Sequence, residues 1–158
     1  MLLYLLRHAE AETSAPTDRQ RRLTPKGQAQ AARVGKFCCR EGLAPSLILT
    51  SPAIRARQTA EAVAECLPDA QLHEVPWAAC GMHPAGAIEE LAACVKISPV
   101  MLVGHQPDLG CLAAALLGLP RPQAFRFRKS LLAGIETGAG IRAGSGELQF
   151  FIPVKLMD

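Results

Sequence analysis

The chain has 158 residues, 49% of them hydrophobic and 20% charged, a balance that fits one folded domain and excludes a disordered, collagen-like or coiled-coil chain. Lys and Arg exceed Asp and Glu by only three (17 against 14), too small an excess to point to nucleic acid. No apolar run approaches the roughly 20 residues of a membrane-spanning helix, so neither a nucleic acid nor a membrane is expected as a partner.

The first apolar run, Leu2–Leu6, lacks the basic start and the length of an export signal and is read as a buried strand. Without such a signal the chain is expected in the cytoplasm. Its six cysteines (Cys38, Cys39, Cys66, Cys80, Cys94 and Cys111) are then packing thiols rather than a disulfide framework. Thr24-Pro25 places a capping hydroxyl before a proline at the first helical position, and Ala31, Val34, Gly35 and Cys38 follow at helical spacing until Gly42. Ser46–Thr50 is a second strand. Ser51-Pro52 repeats the helix-start signal, and the helix runs from Ile54 to Cys66.

Gln71–Val75 is a weaker strand, and Pro84–Val95 a helix. Pro99–Val103 is apolar without alternation, as in a strand covered on both faces, and Pro107–Leu117 is a further helix. Phe125-Arg126-Phe127-Arg128 alternates like a half-exposed strand, with the phenylalanines inward. Leu131–Glu136 and Glu147–Pro153 form a hairpin around a glycine-rich loop. This order predicts an α/β fold, a three-layer α/β/α sandwich whose central sheet is mostly parallel with antiparallel edge strands. Residues 1–158 hold no linker or repeat and read as one domain.

Open α/β sheets bind ligands beyond the carboxyl ends of their strands. There this chain offers Arg7-His8 after the first strand, Arg55 and Arg57 after the second, and Gly104-His105 after the Pro99–Val103 strand. Guanidinium forks match phosphate oxygens two at a time, and a helix N-terminus adds positive potential. A neutral imidazole attacks phosphorus well if a backbone carbonyl holds its tautomer, and a second imidazole can donate to the equatorial oxygens. With Arg7, Arg55 and His105 offsetting the developing charge, no metal and no cofactor is required.

Leu-Leu-Arg7-His8-Ala9-Glu10 resembles the Arg-His-Gly signature of the histidine phosphatase superfamily, the phosphoglycerate-mutase-like fold. Ser51-Pro52-Ala53-Ile54-Arg55-Ala56-Arg57-Gln58-Thr59 is similar to its Ser-Pro-x-x-Arg-x-x-Gln-Thr segment, and Val103-Gly104-His105 stands in the place of its second histidine. Asp18-x-x-Arg21-x-Leu23-Thr24-x-x-Gly27, the short length and the Phe127/Ser130 region resemble the SixA-type branch, the phosphohistidine phosphatases. The resemblance implies that His8 takes the phosphoryl group covalently and that water then releases inorganic phosphate. Arg7, Arg55 and His105 would bind the phosphoryl group, with Arg21 as a further contact at the rim.

Two departures stand out. Ala9 replaces the usual glycine, which would cost about 1 kcal/mol if the backbone needed a positive φ. The stretch Pro76–Gly81, where mutase-like branches carry a glutamate, has no carboxylate. Glu10, Glu74 and Asp108 remain as candidate general acids. An alkoxide leaving group demands an acid more than an imidazole does, so the pattern favours a phosphohistidine substrate. Val75–Pro99 has room for only a loop and one helix, which suggests a shallow site suited to a phosphohistidine on a phosphotransfer or phosphorelay domain. A small phosphomonoester, or phosphate recognition without catalysis, are the alternatives.

The remaining features have plainer readings. Arg19 and Arg22 belong to a solvated loop. Cys80-x-x-His83 lacks the second ligand pair of a metal site. His73 faces solvent, and Cys38-Cys39 packs within a helix.

Overall fold

The strands form where the sequence is apolar on both sides. In β1 (Leu2–Arg7), Leu3 and Leu5 point to one face and Tyr4 and Leu6 to the other, and all four are buried. β4 (Val100–Gly104) and β2 (Leu47–Thr50) share this pattern. The computed structural model describes residues 1–121, 125–138 and 140–158. Ala139, in the glycine-rich loop of the expected hairpin, lies outside the described residues.

Six strands form one sheet in the order β3-β2-β4-β1-β5-β6, with β3 at Gln71–Glu74, β5 at Leu132–Thr137 and β6 at Gly146–Ile152. The first four are parallel, while β5 runs antiparallel to β1 and pairs with β6 as an antiparallel hairpin. The predicted sandwich is therefore the observed one. α1 (Pro25–Arg40) and α2 (Ile54–Ala64) cover one face, packing Val34, Phe37, Ala60 and Val63 on Tyr4, Leu6, Ile48 and Met101. α3 (Pro84–Ala92) and α4 (Asp108–Leu116) cover the other, setting Leu91, Leu109 and Leu112 against Leu3, Leu5, Leu49 and Leu102. Burial of so many Leu, Ile and Val side chains, each contributing about 1.5–3 kcal/mol, is the main stabilising term.

α1 begins as its sequence predicts: Thr24 Oγ1 accepts from Gly27 N at 3.0 Å, with Pro25 in the first turn. Gly27 packs directly on the Glu10 backbone, where a Cβ would lie 1.9 Å from the Glu10 carbonyl oxygen. The first turn of α1 thereby fixes the chain just beyond His8.

Two expectations are corrected. α2 starts at Ile54 with Ala53 as its uncapped N-terminal residue, so Ser51 is not the cap. Its hydroxyl bonds His105 instead. Phe125–Arg128 is not a strand, although Phe127 is buried and Arg126 and Arg128 are exposed as the alternation implies. Its backbone bonds go to side chains rather than to a ladder. Phe127 O accepts from Arg7 Nη1 at 2.7 Å, and Phe127 N donates to Gln106 Oε1 at 3.2 Å. No helix among the described residues is long and apolar enough to cross a membrane.

Candidate active site

The parallel register ends three strands side by side. Arg7 pairs with Gly104 and Thr50 with Val103, so His8, Ser51 and His105 follow at one edge of the sheet. His8 N donates to Gly104 O at 3.0 Å and Ser51 N to Val103 O at 3.1 Å, extending the ladder into the turns. α2 then brings Arg55 back over the same edge. Arg7, His8, Arg55 and His105, separated by up to 98 positions, thus form one cluster.

His8 and His105 stand with ring centroids 5.3 Å apart. The His8 Nδ1 lies 2.7 Å from the Ala9 carbonyl oxygen and its Nε2 lies 3.3 Å from Arg55 Nε. An arginine N–H can only donate, so Nε2 carries the lone pair and Nδ1 carries the proton. Burial pushes the His8 pKa from 6.5 down to about 3, with His105, Arg55 and Arg7 adding to the shift, so the ring is neutral at pH 7. His105 is lowered to about 4, again chiefly by burial and then by Arg55. His105 Nε2 lies 2.7 Å from Ser51 Oγ, whose lone pairs also accept from Ala53 N at 3.3 Å. Donation of the Ser51 hydroxyl proton to His105 Nε2 would place the His105 proton on the unpaired Nδ1.

Three buried side-chain atoms among the described residues have no hydrogen-bond partner: Arg7 Nε, His105 Nδ1 and Ser130 Oγ. All three belong to this neighbourhood, since Ser130 N donates to Arg7 O at 3.1 Å. Buried unpaired donors of this kind are costly unless an acceptor joins them, and an oxyanion supplies such acceptors.

Arg55 is buried and closely held. Its Nη1 donates to Asp18 O at 2.6 Å and its Nη2 to Asp18 Oδ2 at 2.9 Å and Cys80 Sγ at 3.3 Å. Asp18, on a 3-10 turn at Asp18–Gln20, also accepts from Arg21 Nη1 at 2.8 Å, so its carboxylate bridges two guanidiniums. These bonds, that from Arg55 foremost, hold its carboxyl below the usual range. Arg57 is exposed and paired with Glu61 and Glu74, away from this cluster.

The three candidate acids differ sharply. Glu10 is held by Thr24 and Lys26, and Glu74 by Arg19 and Arg57. Asp108 is buried and accepts from Gly81 N at 2.9 Å, one residue from Cys80. The sequence points to no catalytic or binding role for Asp18, Cys80 or the Ser51 hydroxyl, the last being expected only as a helix cap. Asp18 alone had left a signal, as the acid three residues before Arg21. Ala9 is wholly buried, and Ser130, at φ 56°, is the non-glycine residue with positive φ among those described, so alanine carries no such strain at position 9. No three His, Cys, Asp or Glu side chains among the described residues gather as a metal site.

Residues 3–85 match the model of the histidine phosphatase superfamily (branch 1), and the chain belongs to that family. It is 35% identical over 147 residues to an uncharacterized protein of Picosynechococcus sp., spanning 88% of this chain and 87% of that one. It is 27% identical to the phosphohistidine phosphatase SixA of Escherichia coli K12, over 79% of this chain and 80% of the relative. The tungstate complex of the protein histidine phosphatase SixA superposes with a TM-score of 0.89 over the whole of both chains, at 23% identity. The putative phosphohistidine phosphatase SixA of Agrobacterium tumefaciens does so with a TM-score of 0.83, at 28% identity, over 96% of this chain and 97% of the other. The chain is thus a SixA-type member of a phosphatase superfamily.

Proposed function

We propose that this phosphatase dephosphorylates phosphohistidine on a partner protein, a phosphotransfer or phosphorelay domain, through a covalent intermediate on His8. The observation that carries the reading is the His8 ring itself, neutral, with Nδ1–H fixed on the Ala9 carbonyl and the Nε2 lone pair facing Arg55. Nε2 attacks phosphorus, the bond from phosphorus to the substrate imidazole breaks, and that imidazole, already protonated on its other ring nitrogen, takes the bonding pair and leaves as a neutral ring. Water then cleaves the phosphohistidine and releases inorganic phosphate. Arg7, through its unpaired Nε, Arg55, and His105, through Nδ1–H, balance the charge on the equatorial oxygens. This cationic set supports chemistry without a metal or cofactor. Arg21 reaches the same anion once its bond to Asp18 loosens. We take residues 1–158 as one catalytic domain, and the six free cysteines support a cytoplasmic setting.

The substrate class is supported by the relatives described as phosphohistidine phosphatases, and by the short Val75–Pro99 segment, which holds one 3-10 turn and α3. A small phosphomonoester is the rival reading, favoured by the buried Asp108, which could protonate an alkoxide. Turnover of a phosphorylated histidine domain set against a panel of sugar and nucleotide phosphates separates the two. The expected result is preference for the former, together with acid-labile radiolabelled phosphate trapped on the wild type and absent from His8→Ala. Preference for a small ester overturns the substrate, and absence of trapped phosphate overturns the mechanism.

A further inference from the structure

The segment from Phe125 to Ser130 crosses the site without joining the sheet. It is anchored at two points to the catalytic turn: Phe127 O accepts from Arg7 Nη1 at 2.7 Å, and Ser130 N donates to Arg7 O at 3.1 Å and His8 O at 3.4 Å. Between and beside these anchors it presents Arg126 and Arg128, both exposed, and the half-buried Lys129. None of the three has a carboxylate within salt-bridge distance among the described residues. Arginines surround two of them, and Glu10, itself paired with Lys26, is the carboxylate whose field reaches Lys129. Arg126 is close enough to Arg7 to lower its pKa, and Arg7, Arg21 and Arg55 help lower that of Lys129 after burial. Lys129 also lines a cavity of about 650 Å³ with Glu10, which is paired with Lys26, and Glu12, which accepts from the Arg22 backbone N–H.

We propose that Arg126 and Lys129 form a cationic rim that docks acidic side chains flanking the phosphorylated residue of a protein substrate. The inference rests on the reading of the site as one for phosphoprotein substrates. A cluster of like charges held by a rigid backbone costs energy in the free protein, and an acidic partner relieves it. The rim is a few charges wide and lies along one side of the phosphoryl site, which suits a short acidic stretch better than a nucleic acid backbone. Complementary charge of this kind acts mainly on association and on the choice of partner.

The test uses two matched phosphohistidine peptides, one with aspartate flanks and one with lysine flanks, and the same pair carrying phosphoserine. In the wild type kcat/KM is expected to favour aspartate flanks by about 10-fold or more at low salt, and less at 0.5 M salt. In Arg126→Glu/Lys129→Glu that ratio is expected to fall to one or below, and in Arg126→Lys to persist. A wild-type ratio near one, or a ratio unchanged in the double variant, overturns the rim. So does stronger retention on an oligonucleotide than on the aspartate peptide. Cleavage of the phosphoserine pair alone defeats the phosphohistidine reading, while the flank ratio, then read on the esters, still decides the rim.

Discussion

Asp18 occupies the outer edge of Arg55, its carbonyl oxygen 2.6 Å from Nη1 and its Oδ2 2.9 Å from Nη2, while Arg55 Nε faces His8. A negative group therefore sits on the guanidinium expected to hold phosphate, fixing its orientation and repelling the anion. Asp18→Asn keeps the carbonyl contact and removes the charge. It is expected to tighten inhibition by inorganic phosphate by about 3- to 10-fold, as loss of one nearby like charge at a partly solvated site implies. The same change lowers kcat, because Arg55 is less firmly oriented. Inhibition constants for phosphate in the two proteins decide the matter, and weaker inhibition in the variant would contradict it.

Arg55→Ala and His105→Ala remove donors that are already oriented before the substrate arrives. Each is expected to reduce turnover by about 10²-fold or more, the usual loss when a preorganised charge-stabilising donor is removed. Steady-state rates on a phosphorylated histidine domain test this, alongside thermal melts to exclude unfolding. Near-normal rates in either variant mean that the phosphoryl group binds elsewhere.

Stability should depend on pH through the two buried rings. An unfolded histidine titrates near 6.5, whereas folded His8 and His105 titrate near 3 and 4. Between those limits the unfolded chain binds more protons, so unfolding free energy is complete above about pH 6.5 and falls as the pH is lowered. Urea midpoints at pH 7.5, 6 and 5 should decline in that order. His105→Gln should flatten the decline, since one of the two titrating groups is gone.

Ser130 is held at φ 56°, a conformation that costs a side-chain-bearing residue roughly 1 kcal/mol. Ser130→Gly keeps the N–H that binds the Arg7 and His8 carbonyls and removes both the strain and the unpaired hydroxyl. The extra freedom of glycine in the unfolded chain offsets part of this gain. Denaturation should still show the variant at least as stable as the wild type, and a clear loss would mean that the hydroxyl has a structural partner.

Ala9 behaves oppositely. With φ outside the positive region and its side chain wholly buried, it gains nothing from the freedom of glycine. Ala9→Gly is expected to destabilise the protein by about 0.4–1 kcal/mol, through the greater entropy of the unfolded chain. A stabilised variant in urea titration would refute this.

Much was legible in the sequence because local chemistry left regular marks. Uninterrupted apolar runs in β1, β2 and β4 announced strands covered on both faces, and Thr24-Pro25 announced the start of α1. Arg7, His8, Arg55 and His105 could be placed together because strand ends of a parallel sheet share one edge. Ser51 and Phe125–Arg128 were misread because local patterns cannot say which distant partner takes a polar group. His105, 54 positions away, competes for the Ser51 hydroxyl, and Arg7, 120 positions away, takes the Phe127 carbonyl that a ladder would have used.

The sequence by itself determined the layered fold and the cationic, two-imidazole character of the site, since both follow from residue type and period. Only the tertiary structure decided the tautomer of His8, the seat of Asp18 on Arg55 and the placing of Arg126 and Lys129 beside Arg7. Each of these depends on hydrogen-bond distances and fields between segments far apart in the chain, which no local pattern encodes.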